Sequence, residues 1–111
     1  MKLQSNLEQC FGSIAALQKK SSIVLCDKGL MDYKVQMEEE NWQMLLDEIG
    51  WNVVTMRDRR YDMIIHLVTS AKGAKDYFNL PENKEKFQDG MKTAQIIDTN
   101  TINAWIGHPN F

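Results

Sequence analysis

Apolar positions near the N-terminus recur at steps of three and four, which is typical of a helix with one apolar face. The pattern predicts a helix over residues 2–20, with its apolar stripe at Leu3, Leu7, Cys10, Phe11, Ile14 and Leu17. A second stretch of this kind predicts a helix over 38–49, with Gly50 as its C-terminal cap. We expect the apolar stripes of both helices to face the core.

Two short runs are apolar without such spacing. Residues 22–26 and 63–68 predict buried strands, because a strand covered by helices on both faces is continuously apolar. The helical pattern between them indicates a right-handed parallel crossover. The expected fold class is therefore α/β, a parallel sheet flanked by helices, and a two-stranded sheet would be only part of a larger one.

The other segments give weaker signals. Residues 27–37 predict a loop, 52–59 a short helix, and 70–78 a short helix or turn. Residues 79–90 are polar and contain Pro81 and Gly90, which predicts a mobile, lid-like loop. Residues 91–105 predict a last helix.

Composition excludes several function classes. The chain has 13 basic and 15 acidic residues and no basic stripe, so no nucleic-acid partner is expected. Cys10 and Cys26 form no CxxC pair, and we interpret both as reduced core residues. No run approaches the roughly 18 apolar residues of a membrane span, and no signal peptide is visible, so we expect a cytoplasmic protein.

Four stretches resemble a known family: VLCDKGLMD (24–32), WNVVTMRDRRYDMIIHLVTSAKGAKDYF (51–78), PENKEKF (81–87) and AWIGHP (104–109). They are similar to the P-loop NTPase-like (AAA-type) domain of the bacterial NAD regulator's nicotinamide riboside kinase region and the eukaryotic TRPL translocation defect proteins. The resemblance is closer to the eukaryotic branch and runs from about Leu3 to Phe111. It implies a parallel sheet with flanking helices.

Members of that family begin with a strand and a phosphate loop, GxxxxGK[ST], which this sequence does not contain. We therefore expect residues 1–111 to form a single partial domain that lacks the N-terminal strand, the phosphate loop and the final strand. That loop supplies backbone N–H groups and a lysine to the phosphates. Because phosphoryl transfer depends on such positioning, we expect no catalysis by this chain alone.

The resemblance assigns candidate site residues. Asp27 would bind Mg²⁺ or act as a general base, and the alternative is a solvated Asp that caps the next turn. Lys28, and Lys84 and Lys86 of the lid-like loop, would contact phosphate, and the alternative for the lid lysines is a solvated charged loop. Gly29 belongs to the same motif.

Asp32 is either a second carboxylate of the site or a turn residue. The terminal signature comprises Trp105, Gly107, His108 and Pro109. We interpret it as structural, with a base or ribose contact as the alternative. His66 lies among apolar neighbours and is interpreted as a hydrogen-bonded core histidine.

The implied function is binding of guanine nucleotides and phosphoinositides in membrane-protein trafficking, at the membrane periphery. The alternative is a nucleoside kinase of the nicotinamide riboside type. The implied cofactor is Mg²⁺ with GTP or ATP, unless this chain has lost it. Implied partners are a nucleotide, a phosphoinositide membrane surface, and further copies of the chain through an uncovered sheet edge.

Overall fold

Helices joined by extended segments make up the chain in this computed structural model, which describes the backbone of residues 1–78 and 84–111 and the side chains of 1–76, 78 and 89–111. The α-helices are α1 (Lys2–Leu17), α2 (Glu39–Ile49), α3 (Val53–Asp58), α4 (Ser70–Gly73) and α5 (Lys84–Trp105), with 3₁₀ helices at Leu30–Gln36 and Lys75–Tyr77. The described residues contain no strand. The predicted α/β fold with a parallel sheet is therefore wrong.

Neither predicted strand is part of a sheet. Leu25 and Leu67, one in each run, are 88% and 85% exposed. A strand needs a neighbour that forms a ladder of backbone hydrogen bonds with it, and within the described part of the chain the two runs make only one such bond, from the Ile64 N–H to the Asn110 carbonyl. The prediction of two buried strands is therefore wrong.

The two central helices were predicted correctly. Helix α2 ends at Gly50, whose φ of 66° lies in the left-handed region that glycine adopts readily. Helix α3 begins after Asn52, whose side chain accepts hydrogen bonds from the backbone N–H groups of Val54 and Thr55. These caps explain why the local sequence was sufficient to predict where α2 ends and where α3 begins.

The loop predictions were partly wrong. Helix α5 begins at Lys84, so residues 84–90 are helical, while 79–83 lie outside the described residues. Lysine, glutamate and glutamine favour helices, and Gly90 costs only about 1 kcal/mol inside one. Residues 27–37 contain a 3₁₀ helix instead of a plain loop, and the prediction for 70–78 is confirmed by α4 and the second 3₁₀ helix.

The core lies around the first 3₁₀ helix. Its buried apolar side chains come from that segment, from α2, α3 and α5: Leu30, Met31, Trp42, Leu46, Met56, Ala104 and Trp105. The segment that follows Gly29 is therefore fixed at the centre of the structure.

Helix α1 turns its polar side toward the rest of the protein and its apolar stripe away from it, contrary to the prediction. Ser5 is buried and Gln4 and Glu8 are half-buried, whereas the apolar stripe from Leu3 to Leu17 faces outward. Cys10 and Cys26 are exposed free thiols, so their interpretation as core residues is wrong too. Partial burial raises the pKa of the Cys26 thiol, and Glu8 raises it further, which keeps the thiol protonated at neutral pH.

None of the helices in the described ranges combines the length and apolar content that a membrane crossing requires.

Candidate functional site

The loop that joins residue 27 to the core is closed by Asp32. One carboxylate oxygen of Asp32 accepts the Gly29 backbone N–H at 2.7 Å, and the other accepts the indole N–H of Trp105 at 2.7 Å. The backbone N–H of Asp32 also donates to the Gly29 carbonyl. Both oxygens are thus engaged inside the protein, which leaves Asp32 poorly placed to bind a ligand.

Gly29 is packed tightly against aromatic rings. A Cβ atom at this position would overlap the indole of Trp105 and lie 3.4 Å from the ring of Tyr61. Those two rings pack edge to face, with centroids 5.5 Å apart. The φ of Gly29 is −95°, so the lack of a side chain matters here for space and not for backbone conformation.

Tyr61 connects this loop to α1. Its hydroxyl accepts the Leu30 backbone N–H at 2.9 Å and donates to the Glu8 carboxylate at 3.1–3.2 Å. Burial raises the pKa of Tyr61 well above its ordinary value, so the hydroxyl keeps its proton and remains a donor. Arg60 completes the chain of contacts through an ion pair with Glu8 at 2.6 Å.

The polar face of α1 holds the same loop from its other side. The Gln4 amide donates to the Lys28 carbonyl at 2.6 Å, and Arg60 donates to the Ser5 carbonyl. Sequence reasoning missed Gln4 and Glu8, since their partners are distant along the chain. The only available signal was the spacing of Gln4 and Glu8, four residues apart beside an apolar stripe.

The terminal signature packs beneath the loop. Trp105 is 2% exposed, and Gly107 has a φ of 107° with the Arg57 guanidinium 2.7 Å from where a Cβ would stand. His108 is buried, and its Nδ1 accepts the Asn110 backbone N–H, so its Nε2 carries the proton and donates to the Tyr61 carbonyl at 2.8 Å. These contacts are the packing and turning roles that we expected for Trp105 and Gly107. Pro109 is exposed.

Asp27 and Lys28 differ from the rest of this loop. Both are exposed, and neither side chain makes a hydrogen bond or ion pair with the described residues. They border an open groove of about 300 Å³ between α1 and the 24–28 segment, and Lys28 also borders a smaller hollow of about 120 Å³ beside Tyr33. The loop therefore presents an anionic and a cationic side chain from a fixed backbone.

No described contact places the other two candidates for phosphate binding, Lys84 and Lys86, beside this loop. Lys84 and Lys86 lie in the first turns of α5, where side chains are outside the description. The lid-like loop predicted for them is replaced by helix at both positions.

Of the described carboxylates around this loop, one is free to bind a metal. The described side chains include no group of three or more histidines, cysteines or acids that could hold a metal. Glu8 and Asp32 are engaged as described above, which leaves Asp27. A single carboxylate fits Mg²⁺ that is carried by nucleotide phosphates, because such Mg²⁺ takes one or two protein carboxylates and keeps phosphate and water ligands.

A second polar cluster lies away from this loop, around Asp98. Its carboxylate contacts the His66 ring at 2.9 Å, the Thr69 backbone N–H at 2.9 Å and the Lys72 ammonium at 2.5 Å. Burial raises the pKa of Asp98, but the hydrogen bonds from Lys72, Thr69 and His66 outweigh it and lower the pKa to about 2. The hydrogen bond expected for His66 is confirmed, but the residue is half-buried and lies outside the core. The cluster joins the 62–69 segment to α5.

Comparisons of the chain with family models, with curated proteins and with solved structures found no match. The family resemblance therefore rests on the residues quoted above and stays a prediction.

Proposed function

We propose that this chain is a non-catalytic binding module that recognises the phosphate groups of a nucleotide, with Mg²⁺, through Asp27 and Lys28. The observation that carries the proposal is the contrast within one loop. Gly29, Leu30 and Asp32 are held by internal hydrogen bonds, while Asp27 and Lys28 point outward without internal partners. A fixed backbone lowers the entropy that binding costs, which is what a recognition loop needs.

The chemistry of the two side chains is complementary to a metal–phosphate group. The Asp27 carboxylate would take one coordination position on Mg²⁺, whose bound form neutralises phosphate charge. The Lys28 ammonium would contact a phosphate oxygen as a point charge. Guanine as the base comes from the family resemblance alone, as does the role in membrane-protein trafficking.

Phosphate could also reach this loop on an inositol headgroup, which the same resemblance implies. The two sources share the chemistry of clustered phosphate oxygens, but only the nucleotide requires Mg²⁺ bound between the protein and the ligand. A soluble inositol trisphosphate therefore serves as the probe for the headgroup, without Mg²⁺.

We expect Mg²⁺–GTP to raise the thermal midpoint of the chain, because a ligand that binds only the folded state stabilises it by about 2.7 kcal/mol at a hundredfold excess over Kd. Asp27→Asn and Lys28→Gln should abolish the shift and leave the midpoint without ligand unchanged. Asp47→Asn, at an exposed position of α2, is the matched control and should keep the shift.

The proposal fails if neither Mg²⁺–GTP nor Mg²⁺–ATP shifts the midpoint, or if Asp27→Asn responds as the parent chain does. A shift with inositol trisphosphate alone would assign the loop to a headgroup and overturn the nucleotide assignment.

A further inference from the structure

The chain exposes more surface than a compact monomer of its mass. Its accessible area is 8687 Å². A monomer of 12.9 kDa is expected to expose about 6,300 Å². The Cα radius of gyration is 17.0 Å, whereas a domain of 111 residues has about 13 Å. By the same scaling, the chain exposes about 2,400 Å² more than a compact monomer.

Several exposed apolar side chains lie together. The outward stripe of α1 runs along Leu3, Leu7, Phe11, Ile14 and Leu17, each 49% or more exposed. Beside it lies the extended 22–26 run. A helix that turns its polar side inward and its apolar side outward in this way is typical of an interface and not of a solvated surface.

The 62–69 segment also exposes apolar side chains. Between residues 63 and 67 its exposure alternates: Met63, Ile65 and Leu67 are 65%, 74% and 85% exposed, whereas Ile64 and His66 are half-buried. That period of two is the pattern of a strand with one covered face, although no strand lies beside it.

One edge of this segment is already paired. The Ile64 backbone N–H donates to the Asn110 carbonyl at 3.0 Å, and the Asp62 carbonyl accepts the Asn110 side-chain N–H at 2.8 Å, so the backbone groups of Asp62 and Ile64 point toward the C-terminal tail. Successive residues of an extended strand direct their N–H and C=O groups to opposite edges. The backbone groups of Met63, Ile65 and Leu67 therefore point to the other edge, where they have no partner within the described residues.

We propose that this edge pairs with the same edge of a second copy of the chain, as an antiparallel ladder around a two-fold axis at Ile65. Ile65 then lies opposite Ile65 of the second copy, and Met63 lies opposite Leu67, which satisfies the unpaired backbone groups on both sides. The run from 63 to 68 carries no acidic or basic residue apart from His66, which faces Asp98, so self-pairing brings no like charges together.

The chain exposes enough surface for such a pair. A standard interface buries about 800 Å² on each partner, and the excess area of one copy is larger than that. A lipid surface would cover the apolar side chains but offers no backbone partner to the edge, which would leave its polar groups unsatisfied. A second copy supplies both.

Sedimentation equilibrium between about 1 and 100 µM tests the pairing, since homodimer formation depends on protomer concentration. We expect a mass of twice 12.9 kDa. Ile65→Lys places two cations opposite each other on the axis and should raise the dimer Kd at least about tenfold. Met44→Lys is the matched control, because Met44 is 69% exposed on α2, and should leave the Kd unchanged.

A crosslink tests the register in a background in which both native cysteines are replaced by serine. Ile65→Cys should form an intermolecular disulfide on mild oxidation, since Cα atoms of a hydrogen-bonded antiparallel pair lie about 5.5 Å apart, within disulfide reach. Met44→Cys should not crosslink. A monomer at every concentration, a polydisperse aggregate, a dimer indifferent to Ile65→Lys, or equal crosslinking of both variants would overturn the proposal.

Discussion

Gly29→Ala is expected to lower the free energy of unfolding by about 2 kcal/mol, because an added methyl group overlaps the buried indole of Trp105. Trp105 cannot move aside cheaply, since its ring is 2% exposed and its N–H is held by Asp32. Relief of the overlap would require breaking that hydrogen bond or shifting the Tyr61 ring, and the hydrogen bond and the ring both hold the loop in place. The loss should appear as a lower midpoint in urea with an unchanged slope.

Gly12→Ala provides the matched control. Gly12 lies inside α1 with no atom within 4 Å of a built Cβ, so the same change there meets open space. Alanine favours a helix over glycine, and we expect Gly12→Ala to stabilise the chain by up to about 1 kcal/mol. Equal effects of the two substitutions would contradict the tight packing at Gly29.

Asp98→Ala is expected to cost about 3 kcal/mol, because it removes the common partner of His66, Lys72 and the Thr69 backbone N–H. Lys72 is partly exposed and recovers some hydration, which places the loss at the low end for a broken buried pair. Asp47→Ala, at an exposed position of α2, should change the free energy of unfolding by less than about 0.5 kcal/mol.

The same residue predicts a pH dependence. The folded-state pKa of Asp98, about 2, lies below its ordinary value of 3.8, so its contribution is full above that ordinary value and is lost as the pH falls toward 2. The shift corresponds to about 2 kcal/mol. Urea unfolding at pH 5 and pH 2 should therefore show a smaller acid loss in Asp98→Ala than in the parent chain. An identical acid loss in both would contradict the assignment.

The sequence was informative wherever a local rule decided the structure. Gly50 ended α2 and Asn52 began α3 because capping depends on neighbouring residues alone. The strand predictions failed because a sheet is not decided locally. An apolar run favours a covered strand but does not contain the neighbouring strand that a sheet requires. The orientation of helix α1 was missed for a similar reason, since periodicity identifies two faces without saying which one meets the core.

The candidate site shows the same division. Asp27 and Lys28 could be selected from the motif that resembles the known family. The contacts that hold them could not, because Asp32–Trp105 and Glu8–Tyr61 join residues 73 and 53 positions apart. Charged and aromatic residues in a motif look equally suited to chemistry and to packing until such distant partners are known.

The central claim is that the motif residues fix the backbone at Gly29 and Leu30 and leave Asp27 and Lys28 facing outward. Amide hydrogen exchange measured residue by residue tests it most directly. The Gly29 and Leu30 N–H groups donate to Asp32 and Tyr61, so they should exchange at least about a hundredfold more slowly than those of Asp27 and Lys28. Exchange at Gly29 and Leu30 as fast as at Asp27 and Lys28 and close to that of an unfolded chain would show that the loop is not held, and would contradict the account.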